Sequence, residues 1–346
     1  MAKKSESAVS FNTLMSEIRA GRYAPVYLLS GDEPFFIDAI TDALQQRVVP
    51  DEEARDFDLT VFFGADSSID DVAGAARRFP VMGSRQLIML KELQAMNDGK
   101  GQLNRLAPVA AAPSQTTVLV ITYKGEPIKA THEFVKAVNK GGGVVFQSMK
   151  LREWELNAHI TDYCRSKKVT IDGKAAEMLK DYVGNDLSRL SRDIDKLIVA
   201  GGGSMITPEM IEENIGISKD FNNFELIKAI SLRNYAKSMQ IVDYFERNPK
   251  QNPVVMTVSI LFRYFSQLML AHYAPDKSDR GLQVQLGLSS VYQLTDVKAG
   301  MQRFTPASAM RVIHALRKLD ARSKGIGSMM KDYALLRQFV YEAFTL

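Results

Sequence analysis

Five short apolar runs, Val26 to Leu29, Leu59 to Phe63, Gln86 to Leu90, Thr117 to Thr122 and Val144 to Gln147, punctuate the first 150 residues. Between them lie segments with helical character, Glu33 to Arg47, Ser68 to Arg78, Gln102 to Val109 and Thr131 to Asn139. Strands spaced by helices pair in parallel, because each helix carries the chain back across the sheet before the next strand begins. The pattern predicts a mostly parallel, doubly wound sheet.

From Leu151 onward the pattern is helical, and no strand-like run competes. Helices are predicted at about Glu153 to Lys167, Asp172 to Val183 and Asp186 to Ala200. Gly201-Gly202-Gly203 breaks the last of these, and Thr207-Pro208-Glu209 opens a short capped helix. The chain turns polar around Gly216 to Asn223, and long helices then run to Leu346, interrupted near Asn248 to Pro253 and Pro275 to Gly281. At 346 residues the chain exceeds what one hydrophobic core usually serves. The expected plan is an α/β domain over 1–150, a small helical domain over 151–217 and a second all-α domain over 218–346. No internal repeat or low-complexity segment is present.

The first strand runs through Val26-Tyr27-Leu28-Leu29 into Ser30-Gly31-Asp32-Glu33-Pro34-Phe35-Phe36-Ile37. Asp32 is placed to cap a helix whose apolar positions Phe36, Ile37, Ile40, Leu44 and Val48 share one face. The unit has the shape of a phosphate loop without its chemistry. A working loop needs G-x-x-x-x-G-K-[ST], so that backbone N–H groups cradle phosphate, Lys neutralises it and the hydroxyl holds Mg²⁺. Here Asp32 and Glu33 satisfy the helix dipole and repel phosphate, Pro34 removes a donor, and Phe35 and Phe36 add bulk. The degenerate loop Ser30, Gly31, Asp32, Glu33 and Pro34 is therefore expected not to bind ATP.

Net charge is +4, unevenly distributed. Residues 218–346 hold 18 Lys+Arg and 10 Asp+Glu, or +8; subtracting from totals of 44 and 40 leaves 26 and 30, or −4, for residues 1–217. The basic third is compatible with nucleic acid or an acidic partner, and equally with a solvated helical surface, since its charges are scattered. No run of about 18 apolar residues is evident to span a bilayer. Met1-Ala2-Lys3-Lys4-Ser5-Glu6-Ser7 leads into polar sequence rather than a signal peptide. Cys164 is the one cysteine, which excludes an internal disulfide and a multi-cysteine metal site. A soluble, cytoplasmic protein is expected.

Other signals are weak. Gly141-Gly142-Gly143 and Gly201-Gly202-Gly203 follow helical stretches and lack a following Lys-Ser/Thr, so they suit helix stops rather than phosphate loops. His132, His159, His272 and His314 show no i, i+4 pairing, and no metal site is expected. His159 and Cys164 stand five apart, roughly 140° around a helix, too far for a nucleophile–base dyad. Asp193 and Asp195 suit a helix surface better than a two-metal site. The aromatic-rich stretch Ile260 to Leu270 repeats apolar residues almost all round a helix, which favours burial over base stacking.

Taken with this plan, four segments resemble the delta-subunit family of bacterial DNA polymerase III, a clamp-loader family of the AAA+ class. They are Tyr27 to Phe36; Phe79-Pro80-Val81-Met82-Gly83-Ser84-Arg85-Gln86-Leu87-Ile88; Gly184-Asn185-Asp186-Leu187-Ser188-Arg189-Leu190 with Asp193 and Lys196-Leu197; and Leu316 to Lys324 with Leu319-Asp320. They occur in the family's order across nearly the whole chain. The resemblance implies an AAA+-like α/β domain, a helical lid domain and a C-terminal helical collar domain for oligomerisation. It implies a noncatalytic subunit without cofactor, within a DNA-directed DNA polymerase holoenzyme, a nucleotidyltransferase assembly acting in DNA replication. Its partners would be the sliding clamp (the beta subunit), the loader subunits tau/gamma and delta prime, and primed DNA bound without sequence preference, with no membrane.

The family's clamp-binding element is an apolar pair on the turn between a helix and a strand, which falls here on Val81 and Met82 within Phe79-Pro80-Val81-Met82-Gly83-Ser84, where the family often carries Leu-Phe. Ser68 is expected to cap the preceding helix with Asp71 completing a capping box, Pro80 to end it, and Gly83 to allow a sharp exit. An exposed apolar tip suits a groove on a partner, and Met adapts to irregular pockets. Spacing alone is equally compatible with both residues folding back into the core. For DNA phosphates the candidates are Arg303, Arg311, Arg317, Lys318, Arg322, Lys324 and Lys331. The competing functions are a P-loop-like nucleotide hydrolase or kinase with an unusual phosphate loop, and a stand-alone DNA-binding protein.

Overall fold

The computed structural model describes residues 9–201, 203–288 and 291–346. Met1 to Ser7 and Gly202 lie outside the described residues. The chain forms two compact units, Met1–Lys150 and Leu151–Leu346.

In the first unit α1 (Phe11–Arg19) leads to β1 (Val26–Gly31), α2 (Pro34–Val48), α3 (Glu52–Asp58), β2 (Leu59–Phe63), α4 (Ile69–Ala76) and β3 (Gln86–Lys91). There follow α5 (Gly99–Gln102), α6 (Ala107–Ala111), β4 (Thr117–Lys124), α7 (Glu133–Lys140) and β5 (Val144–Ser148). All neighbouring strands pair in parallel in the order β2-β3-β4-β1-β5. Every residue of the interior strand β1 is buried, and β3 and β4 are buried along most of their length, as a sheet covered on both faces requires. Val26, Leu28, Ile88, Leu90, Leu119 and Ile121 form one core with Val72 of α4 and with Phe134 and Val138 of α7. Successive side chains alternate across a strand, so Tyr27, Leu29, Leu87 and Met89 supply the opposite, equally buried face. The predicted stripe Phe36, Ile37, Ile40, Leu44 and Val48 of α2 is buried along its length.

Four local expectations are corrected. Glu33, not Asp32, is the N-cap of α2, its carboxylate accepting the Phe35 N–H; with Pro34 at the first helical position, the cap falls one residue later. The helix expected over Gln102 to Val109 is split into α5, a 3₁₀ turn Leu103–Leu106 and α6. The helix after Ser68 ends at Ala76, and the Ser68 hydroxyl bonds the Asp71 N–H and the Asp71 carboxylate instead of forming a reciprocal box. The helices α1 and α3 were not anticipated.

The second unit begins with α8 (Leu156–Ser166), β6 (Thr170–Ile171), α9 (Gly173–Val183), α10 (Leu187–Gly201), β7 (Met205–Ile206) and α11 (Pro208–Ile215). Here β6 and β7 pair in parallel, two residues each, where no strand was expected. A long helical series follows: α12 (Asn223–Ser231), α13 (Tyr235–Arg247), α14 (Val254–His272), α15 (Asp279–Leu286), α16 (Val291–Arg303), α17 (Pro306–Ser323) and α18 (Asp332–Thr345). Its core gathers Leu226, Phe245, Leu261, Phe265, Phe304, Leu316 and Phe339. The Phe265 and Phe304 rings meet edge to face at 5.3 Å, an arrangement that adds to their area burial.

Helix α14 contains the stretch Ile260 to Leu270 and packs Leu261, Tyr264, Phe265 and Leu268 into that core, while Phe262 and Leu270 are exposed. It is long and apolar enough on average to cross a membrane, although no such segment was expected, because single polar residues such as Thr257, Arg263 and Gln267 interrupt the run without lowering its average far. Half of its most apolar window is buried among the protein's own residues.

Candidate functional site

Strand β1 ends at Gly31, registered between Lys124 of β4 and Ser148 of β5. The loop Ser30 to Pro34 thus occupies the crevice outside the strand ends, where folds of this kind receive ligands. The crevice is taken up by the protein's own groups. The Glu33 N–H donates to the Ser148 carbonyl at 3.4 Å, and the Phe35 N–H donates to the Glu33 carboxylate at 3.1 Å. Pro34 has no N–H to offer. The Ser148 hydroxyl donates to the Glu33 carbonyl at 2.6 Å, the Ser30 hydroxyl accepts the Ile128 N–H at 3.3 Å, and the Asp32 carboxylate accepts the Lys150 N–H at 3.2 Å. An incoming phosphate would find the Glu33 and Phe35 N–H groups engaged and the Asp32 and Glu33 carboxylates in the same turn.

The second candidate is the turn between α4 and β3. Phe79 is 78% exposed, Val81 72% and Met82 55%, with Pro80 half-buried between them. The turn is fixed at both ends. At its base, buried Gln86 directs its amide nitrogen to the Ala75 and Arg78 carbonyls at 3.3 and 2.5 Å and to the Thr117 hydroxyl at 2.8 Å. This ties the frayed end of α4 to the start of β3. Beside Gln86, the Arg85 guanidinium lies 5.6 Å from the centre of the Tyr23 ring.

At the tip, Asp58 on the last turn of α3 accepts three successive backbone N–H groups. Val81 donates at 2.5 Å, Met82 at 3.0 Å and Gly83 at 2.5 Å. The carboxylate is buried. Burial by itself would raise its pKa, but the three donors outweigh that effect and hold it below the usual carboxylate value. The chain bends at Gly83 before entering β3, but without a left-handed φ. A Cβ there would lie 3.2 Å from the Asp58 carboxylate, so its value is the room it leaves for that oxygen. Asp58 and Gln86 were not anticipated as parts of the site; an Asp immediately before the apolar run Leu59 to Phe63 was the one available sign.

The basic candidates lie on the last helices. Arg311, Arg317, Lys318 and His314 of α17 line a groove of about 610 Å³ with Phe262 and Met310. Arg317 and Lys318 are exposed and pair with no carboxylate among the described residues. The others have internal partners or lie at helix ends. Arg303 donates to the Leu232 carbonyl, Arg311 to the Leu346 carbonyl and Arg322 to Gln338, Lys324 pairs with Asp320 at 2.8 Å, and Lys331 is the N-cap of α18.

The remaining reactive groups are engaged or buried. Asp195 pairs with Lys167 at 2.9 Å and accepts the Tyr163 hydroxyl, and Asp193 pairs with Arg189. Burial pushes the Cys164 thiol up to about 11, which withholds the reactive thiolate at neutral pH.

A model of the family described as DNA polymerase III, delta subunit, matches residues 27–147. The DNA polymerase III subunit delta of Bacillus subtilis is 27% identical over 258 residues, covering 72% of this chain and 74% of the relative. A probable DNA polymerase III subunit delta of Aquifex aeolicus is 20% identical over 313 residues, 86% of each chain. The solved Bacillus subtilis DNA clamp loader delta protein shares the fold over 97% of this chain and 100% of its own, with a TM-score of 0.55 at 22% identity. With its first unit matched by the family model and two relatives aligned over most of its length, this chain is similar to the DNA polymerase III delta subunits.

Proposed function

We propose that this chain is the noncatalytic delta subunit that captures the sliding clamp through Val81 and Met82 and biases the ring toward opening. The exposed apolar tip on a braced turn is the observation that carries this. Phe79, Val81 and Met82 have no folding reason to face water, whereas a hydrophobic groove on the clamp supplies one. A braced tip loses little freedom on docking, so more of its contact energy remains as affinity. Opening follows from differential binding: a tip that fits the clamp better with one interface sprung shifts the ring by no more than that difference in affinity.

A division of the second unit into a lid over 151–217 and a collar over 218–346 goes with this function. The collar would pack against the other loader subunits, tau/gamma and delta prime. Arg317 and Lys318, with Arg303, Arg311, Arg322, Lys324 and Lys331 around them, would meet phosphates of primed DNA in a salt-sensitive, sequence-independent way.

The test is a pull-down of the full chain with the sliding clamp of the same organism, comparing wild type with Val81→Asp/Met82→Asp. Two carboxylates forced into an apolar groove should lower affinity about a hundredfold, or about 2.7 kcal/mol. Equal retention of both proteins would sink the assignment of the tip. A separate titration with ATP and Mg²⁺ in a calorimeter should give no saturable heat, since Glu33 and Ser148 already engage the loop. Saturable binding lost on changing Ser30 to Glu33 would favour a nucleotide hydrolase instead.

A further inference from the structure

We infer that Asp58 is the positioning residue of the tip, holding Val81 and Met82 in the outward conformation that the clamp recognises; this rests on the proposed role of the tip. The Val81, Met82 and Gly83 N–H groups all converge on one carboxylate, Val81 on Oδ1 and the other two on Oδ2. Three consecutive donors aimed at one buried acceptor turn that backbone face inward, in the manner of an anion nest. The side chains of Val81 and Met82 then point the other way, and both are exposed.

Asp58 is well suited to this task. A carboxylate offers about four acceptor sites and no donor, so it takes three N–H groups without leaving a hydrogen of its own unmatched. It stands at the junction of α3 with β2, and β2 is registered on β3, the strand into which the turn exits. The anchor is therefore part of the same sheet as the loop it holds. Gly83 completes the arrangement, because any side chain there would crowd the Asp58 oxygen. Without the anchor, residues Phe79 to Ser84 keep the Gln86 clamp at their base but lose the bonds that orient their tip.

Asp58→Asn tests the assignment. Its amide keeps the shape and one acceptor oxygen but places an NH₂ against a backbone N–H. If only a fraction of molecules then present the outward tip, the association rate falls by that fraction while the bound complex, with Val81 and Met82 intact, dissociates as before. On immobilised clamp the full-length variant should associate about tenfold more slowly, with its dissociation rate within about twofold of wild type. Wild-type association would overturn the inference, since a purely structural brace would change stability and leave clamp kinetics unmoved.

Two further measurements keep the outcomes separate. If Val81→Asp/Met82→Asp binds like wild type, the tip itself is wrongly assigned, whatever Asp58→Asn does; if it loses the clamp while Asp58→Asn does not, only the Asp58 assignment fails. Should Asp58→Asn fail to fold, amide hydrogen exchange on the wild-type chain decides. The Val81, Met82 and Gly83 amides should exchange at least about tenfold more slowly than unstructured peptide at neutral pH. Their protection should fade only as the pH falls below the ordinary aspartate range, where the carboxylate protonates. Exchange at the unstructured rate would overturn the inference.

Discussion

Replacing Gly31 by Ala lowers the stability of the first unit by about 4 kcal/mol or more, among the largest effects a single methyl group produces. Gly31 has φ +149°, a conformation nearly closed to residues with a side chain. A Cβ placed there would lie 1.8 Å from the Ser148 carbonyl oxygen and 2.5 Å from its carbon, both of them backbone atoms of the paired strand β5. No rotamer can relieve such an overlap; either β1 or β5 must move, and β1 is an interior strand paired on both sides. Gly74→Ala is the control. That glycine sits within α4, where an added Cβ would meet no atom within 4 Å, so Ala should stabilise by about 0.5–1 kcal/mol. Hydrogen exchange of the β1 and β4 amides in the full chain measures both. Tolerance of Gly31→Ala would mean that glycine is kept there for a ligand rather than for Ser148.

How much of this was legible beforehand depended on whether a feature is local. The apolar run Leu59 to Phe63 coincides with β2 residue for residue, and the stripe Phe36, Ile37, Ile40, Leu44 and Val48 is the buried face of α2, because burial on a repeating element imposes its period on the sequence. Strands of two residues, Thr170–Ile171 and Met205–Ile206, are too short to show any period. Helix α3 reads as the polar string Glu52-Glu53-Ala54-Arg55-Asp56-Phe57-Asp58, with only Ala54 and Asp58 buried. The candidate site was half visible. Apolar residues Val81 and Met82 stand out after Pro80, but spacing cannot tell an exposed tip from a core turn. What fixes the tip is a carboxylate more than 20 residues upstream, a pairing set by the tertiary fold. Which of Arg303, Arg311, Arg317, Lys318, Arg322, Lys324 and Lys331 face a partner was equally illegible, because internal acceptors such as the Leu232 and Leu346 carbonyls are brought to Arg303 and Arg311 only by the tertiary fold.

Lys180→Met costs the second unit about 3–5 kcal/mol, whereas Glu177→Gln/Lys180→Met costs less than about 1 kcal/mol. Glu177 and Lys180 form an ion pair one turn apart on α9, and both are almost wholly buried. The Glu177 carboxylate also accepts from the Asn157 amide at 2.5 Å and the Gln293 amide at 3.1 Å. Removing Lys180 alone leaves a buried anion with amide donors but no counterion; removing both charges leaves the introduced glutamine to accept from one of these amides and to donate to the other once that amide turns its oxygen inward. Urea unfolding of the full chain, followed by emission of its one tryptophan, Trp154 in the second unit, reads the difference. Similar losses in the two variants would show that the pair's charge is not what stabilises this cluster. The pattern of loss also tests the division at residue 217. Gln293 belongs to α16, and a further ion pair, Arg263 to Asp181 at 3.2 Å, joins α14 to α9. If lid and collar are separate cooperative units, Lys180→Met should speed hydrogen exchange in α8 to α11 while sparing α13, α17 and α18. If the polar seam makes them one unit, exchange should quicken across all of these helices together.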